Sequence, residues 1–228
     1  MHLDWSFAGG NQNGLESPLV DNKPIMILIP GFNNDSRELY IQTLLKQCAE
    51  DGYHTVCIGP RGLQFIGKLT SYHVQATGRD SDIREVIQYI QQKYCLNVDR
   101  QFFACGFSYG GNLLAKYLGI EKNNSKLSAA FCCQPPLKYW ECMNNMSNNY
   151  GGIFDRLCGM KCCSNLKPMK DYLREKCKTF GVDSDEVFEF PYKTATHLEE
   201  IFGSKLHGYK CHMTYRREMS SCWHIKDI

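Results

Sequence analysis

Between Pro24 and Cys133, short apolar runs alternate with stretches whose apolar residues recur every three or four positions. This alternation restricts the chain more than any other feature. Ile25-Met26-Ile27-Leu28-Ile29 has no polar member, as a strand buried on both faces of a parallel sheet requires. Leu39, Leu44, Leu45 and Cys48 then supply part of a helical stripe that ends at Asp51-Gly52. His54-Thr55-Val56-Cys57-Ile58 predicts the next strand, closed by Gly59-Pro60. Ile83, Val86, Ile87, Ile90 and Tyr94 return to helical spacing, and Asp80, Asp82 and Glu85 sit at its start, where carboxylates complement the helix dipole. Gln101 to Cys105 and Leu127 to Cys133 predict two further strands, with a helix over Asn112 to Leu118 between them. Such alternation implies βαβ units, hence an α/β fold with a doubly wound, mostly parallel sheet. Right-handed crossovers would put helices on both of its faces.

After Pro136 the pattern changes. Residues from Tyr139 to about Gly208 read as polar and helical, with Gly151-Gly152 and Asp183-Ser184-Asp185 as breaks and no buried strand. The expectation is a single domain over 1–228 carrying a helical insertion at about 137–210. A chain of 228 residues, 43% hydrophobic and 22% charged, can bury a core of that size. Its formal net charge of +2 comes from scattered basic residues, which argues against a nucleic-acid partner. No apolar run approaches a membrane span, and Met1-His2-Leu3-Asp4-Trp5 lacks the basic and apolar segments of a secretory signal. The location therefore reads as cytoplasmic or membrane-associated, with membrane-surface contact left open. Of the 13 cysteines, many lie in predicted strands and helices, where a reduced thiol is a small apolar residue. Cys158, Cys162 and Cys163 lack a second pair at zinc-finger spacing, so reduced structural thiols are expected ahead of a zinc site.

Gly106-Phe107-Ser108-Tyr109-Gly110 lies directly between a predicted strand and a predicted helix. A G-x-S-x-G in that context marks a nucleophile elbow: the serine occupies a strained turn, and the flanking glycines let neighbouring chains approach. Attack by a serine on an acyl carbon also needs donors for the oxyanion. The backbone N–H of Tyr109 would be one, and the N–H of Phe32, in the Pro30-Gly31-Phe32-Asn33 loop after the first buried strand, the other.

Pro30-Gly31-Phe32, Gly52-Tyr53, Arg61-Gly62, the Gly78 to Asp82 stretch and Gly106 to Asn112 occur in one order, preceded by Leu3-Asp4-Trp5. Together they resemble the α/β-hydrolase branch that holds bacterial YheT-like esterases and eukaryotic abhydrolase-domain acylglycerol lipases and phospholipases. Phe202, His207-Gly208-Tyr209, Tyr215 and Ser220 resemble the segment leading from the helical cap of that family back to the sheet. The resemblance implies an α/β-hydrolase fold and hydrolysis of acyl lipids or short-chain carboxylic esters through an acyl-enzyme on Ser108, without a cofactor.

The triad order in this fold is Ser, then Asp or Glu, then His. By resemblance the acid follows the strand after the cap, Trp223 to Ile228 reads as the lead-in to that strand, and acid and histidine would fall beyond it. The last strands of the sheet would be missing with them, leaving the strand before the cap as an exposed edge. Of the histidines in the chain, His54 starts a strand, His197, His207 and His212 fall in the insertion, and His224 follows it; none is assigned as base. The chain as it stands is then expected to be nearly inactive. The alternatives are a non-catalytic remnant serving as a binding or scaffold protein, and a peptidase or thioesterase of the same fold.

Overall fold

The computed structural model describes residues 1–10, 21–62, 74, 79–94, 99–188 and 193–228. Gly78 lies outside them. The chain divides into two compact units, one of Met1–Gly59, Thr77–Leu137 and Ser221–Ile228, the other of Pro60–Ala76 and Lys138–Ser220.

The first unit is built on five strands: β1 (His2–Ser6), β2 (Ile25–Ile29), β3 (His54–Gly59), β4 (Phe102–Phe107) and β5 (Ala129–Cys133). Their order across the sheet is β1-β3-β2-β4-β5. The β3/β2, β2/β4 and β4/β5 pairings are parallel, and only β1 runs antiparallel, its His2 opposite Gly59 and its Ser6 opposite Thr55. The expected α/β, mostly parallel sheet is present. Sequence reasoning did not mark β1 as a strand, because five residues of alternation are too short a signal to separate from a loop.

Among the described residues, three α-helices cover the sheet: α1 (Leu39–Glu50), α2 (Asp80–Tyr94) and α3 (Tyr109–Glu121). Strand alternation decides which helix meets which residue. Ile25, Ile27, Ile29, Val56 and Ile58 share one core with Ile83, Val86, Ile87 and Ile90 of α2 and with Leu113, Leu114 and Tyr117 of α3. Leu28 and Cys57 turn the other way, onto Ile41 of α1, with Met26, Leu44, Leu45, Cys105 and Phe107 packed around them. This is why β2 has no polar residue. Each such fully buried side chain contributes about 1.5–3 kcal/mol relative to an exposed one.

At the far side of the sheet β5 is an edge strand, and Phe131 on it is 63% exposed. The segment from Ser221 onward packs on α3. Ser221 N–H donates to the fully buried Asn112 Oδ1 (3.1 Å), and Cys222 N–H donates to Leu137 O (3.0 Å). Ile225–Asp227 then forms a single 3-10 turn. A Cβ on Gly119 would lie 2.3 Å from His224 O, so this segment lies on the backbone of α3. The Ser221–Asn112 bond and the close contact at Gly119 hold this segment on α3.

The second unit is helical, with no strand among its described residues. Its helices are α4 (Tyr139–Asn148), α5 (Ile153–Leu166), α6 (Lys170–Thr179), α7 (Ser184–Phe188), α8 (Ala195–Leu198), α9 (Ser204–Leu206) and α10 (His212–Glu218). Tyr150, Gly151 and Gly152 take φ of 52°, 63° and 70°, which separates α4 from α5. Leu173, Cys177, Val187, Phe202 and Leu206 form one small core; Tyr139, Met143, Ala195, Tyr215 and Met219 form another. Cys163 belongs to the first and Cys158 packs against the second, so two of the three clustered cysteines serve different cores.

Buried polar groups hold these helices together. Glu199 accepts from Tyr139 Oη (2.6 Å) and Arg216 Nε (2.5 Å), and Arg216 Nη2 also donates to Thr196 O (3.2 Å). Asp155 accepts from Thr196 N–H (2.8 Å) and Ser147 Oγ (2.9 Å). Burial pushes the Glu199 carboxyl above the usual range, against the opposing pull of Tyr139 and Arg216.

Candidate active site

Ser108 stands where β4 ends and α3 begins, at φ 48° and ψ −113°. A non-glycine residue at positive φ is strained and persists only where its surroundings hold it. Here they do: Ser108 N–H donates to Cys133 O at the end of β5 (2.8 Å), and Asn112 N–H returns to Ser108 O (3.0 Å). The serine is pinned on both sides, and its side chain is exposed at the end of the strand.

The glycines around it answer to sterics. A Cβ on Gly106 would lie 2.5 Å from Gly110 O, and one on Gly110 would lie 2.2 Å from Ile29 O and 2.6 Å from Pro30 O. Gly111 is crowded too, with Gly106 O at 3.0 Å and Pro135 Cβ at 3.2 Å. The Gly110-Gly111-Asn112 run thus has a structural cause residue by residue. Gly110 admits the end of β2, Gly111 admits β4 and the chain after β5, and Asn112 holds the backbone of Ser221.

Because Ile29 pairs with Gly106, the loop after β2 emerges beside the elbow. A Cβ on Gly31 would be 3.7 Å from Phe107 O, and the rings of Phe32 and Tyr109 lie 5.9 Å apart. Tyr40 Oη braces this loop by accepting from Gly31 N–H (3.0 Å) and Asn34 Nδ2 (3.3 Å). Gly31 N–H is thereby taken, while no described group accepts the Phe32 N–H. Sequence reasoning missed Tyr40, whose role depends on a bend that brings it back over Gly31. Asn33, at φ 58° and buried, makes that bend with Asn34 N–H on Gly31 O (3.1 Å). Tyr109 is the first residue of α3, whose opening N–H groups point out of the helix end and favour negative charge there.

Within the sheet unit no described side chain hydrogen-bonds Ser108 Oγ. His54 lies in register with Ile25, which also pairs with Phe102, so it sits at the opposite end of the strands, about 20 Å from the elbow. There it meets Asp21 Oδ1 (2.8 Å) and accepts from Ala8 N–H (3.4 Å). His224 lies against Gly119, roughly 15 Å along α3 from Ser108. Burial, then the Lys116 charge, holds its imidazole below the usual histidine range. In the helical unit His197 faces Glu186 (3.5 Å), His212 faces Glu200 (3.9 Å), and His207 stacks on Tyr215. Asp80 and Asp82 open α2, as expected of helix-start carboxylates, and Asp80 pairs with Arg84 (2.9 Å).

The profile of the alpha/beta hydrolase fold family matches residues 24–158. Phospholipase ABHD3 of Mus musculus is 23% identical over 227 residues, 99% of this chain and 52% of that protein. Medium-chain fatty acid ethyl ester synthase/esterase 2 of Saccharomyces cerevisiae is 32% identical over 125 residues, 54% of this chain and 27% of that protein. Among solved structures, Est1E from Butyrivibrio proteoclasticus with ferulic acid bound aligns with TM-score 0.46 and 18% identity, over 63% of this chain and 52% of its own. The chain spans about half the length of the relatives it matches end to end.

Proposed function

The chain belongs to the α/β-hydrolase fold family, and from that premise we propose that it is a serine ester hydrolase whose nucleophile is Ser108. The observation that carries this reading is the strained Ser108 backbone, held between two glycines that tolerate no Cβ. This backbone leaves the serine exposed at the end of β4, and such strain concentrates where a side chain must be presented to a reactant. Attack of Ser108 Oγ on an ester carbonyl forms a tetrahedral intermediate, then an acyl-enzyme with loss of the alcohol. Phe32 and Tyr109 N–H would hold the oxyanion, and Gly106 and Gly110 give the elbow its shape. The substrates are acyl lipids or short-chain carboxylic esters, a reading supported by relatives named as a phospholipase, a monoacylglycerol lipase and an ethyl ester synthase/esterase.

Hydrolysis of a short-chain nitrophenyl ester by the protein purified from its source tests the reading. Ser108→Ala should lower kcat/KM by at least about 10³-fold while leaving the circular-dichroism spectrum unchanged. Retained turnover in the purified variant refutes the assignment. Residues 1–228 alone should run near the Ser108→Ala rate, since a serine hydroxyl without a base is a weak nucleophile at neutral pH. Robust turnover of that chain that depends on Ser108 would instead place a base among His197, His207, His212 and His224.

A further inference from the structure

We propose that the outward face of α5 docks on an anionic lipid surface. α5 has two chemically opposed sides. Asp155, Gly159 and Cys163, spaced at four residues, point inward and are buried. The inward side is fixed sterically, because a Cβ on Gly159 would lie 2.1 Å from Lys193 O, and it is fixed by hydrogen bonding through the two Asp155 contacts described above. The helix cannot roll to hide its other side.

That other side is apolar and open. Ile153 is 53% exposed, Phe154 55%, Leu157 55% and Met160 49%, and Tyr150 in the preceding turn is 82% exposed. Positions 153, 154, 157 and 160 follow helical spacing, so these side chains form one stripe along α5. Scattered exposed apolar residues are ordinary, but a contiguous row of four on one helix, extended by a neighbouring tyrosine, marks a contact surface. Tyr150 and Phe154 meet edge to face at 5.9 Å, an aromatic pair at one end of the stripe. An amphipathic tyrosine at the margin of an apolar face suits the water–lipid boundary.

Charge selects the occupant. From Asn149 to Lys170 the only carboxylate is Asp155, and it is buried. The exposed charged residues of this segment, Arg156, Lys161 and Lys167, are all basic, and Lys170 adds a fourth, half-buried one. An apolar stripe on a helix whose exposed charges, Arg156 and Lys161, are both basic is complementary to a bilayer whose headgroups are anionic, and it matches the pattern of helices that lie in the interface plane. A second copy of this chain would bring the same positive segment against itself, which favours the lipid surface over self-association.

Flotation of the protein with vesicles reads the proposal directly. Binding should be seen on phosphatidylcholine vesicles carrying about 30% phosphatidylserine and should fall at high salt. Phe154→Asp with Leu157→Asp should lower the partition coefficient at least about tenfold. Arg156→Glu with Lys167→Glu should lower it on anionic vesicles by about fivefold or more per residue, with little change on pure phosphatidylcholine. Thermal melts should stay within a few degrees of the parent, since the altered side chains are exposed. Ser108→Ala should bind vesicles like the parent, so that failure of the catalytic reading and failure of this one are separable. Absence of binding by the parent, or undiminished binding by the Phe154/Leu157 variant, overturns the proposal. So does a dimer in sedimentation velocity that this variant dissociates and vesicles do not compete away, because the stripe would then serve a second copy.

Discussion

The β2 strand of the sheet unit and the packed helices of the helical unit solve the same problem of burial with different chemistry, though Arg100 and Lys116 are buried in the sheet unit too. In the sheet unit the buried strand β2 is wholly apolar, and precision comes from glycines that let backbones touch. In the helical unit the apolar cores are small, and charged groups such as Asp155, Glu199 and Arg216 are buried among them. A parallel sheet satisfies its own backbone groups through the ladder, so its side chains are free to be apolar. Short helices leave many unsatisfied ends, and polar side chains are drawn inside to meet them. The lesson is that the elbow of the sheet unit, like Gly159 in the helical unit, admits no added volume, whereas the helical unit depends in addition on its buried charge partners.

Gly110→Ala is the sharpest test of the first half of that statement. Its methyl group would sit 2.2 Å from Ile29 O, a backbone atom that cannot swing aside. The expected loss exceeds about 4 kcal/mol, enough to leave little folded protein. Urea unfolding followed by far-UV circular dichroism measures it, and an unshifted midpoint would show that the elbow is looser than described.

Arg216→Met tests the second half. Removing one member of a buried ion pair typically costs about 3–5 kcal/mol, because the other charge is left uncompensated. Adding Glu199→Gln should recover much of that loss. The pH dependence has a definite sign. A carboxyl whose folded pKa is raised holds its proton more tightly when folded, so its contribution to stability is greatest at low pH. That contribution declines as pH rises from the ordinary glutamate value of about 4.3 toward the raised one. Arg216→Met removes a group that favours the carboxylate, so its stability deficit should be larger at pH 7 than at pH 5. Equal deficits at both values would detach Glu199 from the effect.

The smallest contrast is read in rates. Burial, followed by the Asp4 and Asp35 charges, pushes the Cys57 thiol up to about 12. Backbone N–H groups of Thr214 and then Met213 hold exposed Cys211 below the usual thiol value. Alkylation requires the thiolate, and at pH 8 only about 10⁻⁴ of Cys57 is ionised. Iodoacetamide labelling followed by peptide mass spectrometry should therefore find Cys211 among the first sites modified and Cys57 untouched in the native protein. Early labelling of Cys57 would mean that the sheet opens where it is described as closed.

Much of the sheet unit was legible in advance because its signals are local. Ile25 to Ile29 could hardly be anything but a buried strand, and a G-x-S-x-G between a strand and a helix carries its geometry within a few residues. Phe32 was legible as a loop residue next to that strand, but Tyr40 was not, since its hydroxyl reaches Gly31 only after the chain bends at Asn33. The polar network of Tyr139, Glu199 and Arg216 gave no warning either. Its members are far apart in sequence, and each alone looks like a surface residue.

The sequence by itself determined the alternation of strands and helices, the position of Ser108 at a strand-to-helix turn, and the need for small residues beside it. These follow from periodicity and from steric rules that act over a few residues. Only the tertiary structure decided that β1 pairs antiparallel at one edge and that the segment around His224 lies along α3. It alone also fixed which side of α5 faces outward. Each of these depends on contacts between residues distant in the chain. A carbonyl that would stand 2.1 Å from any Cβ on Gly159, or a buried Asn112 side chain that takes the Ser221 N–H, outweighs any local preference.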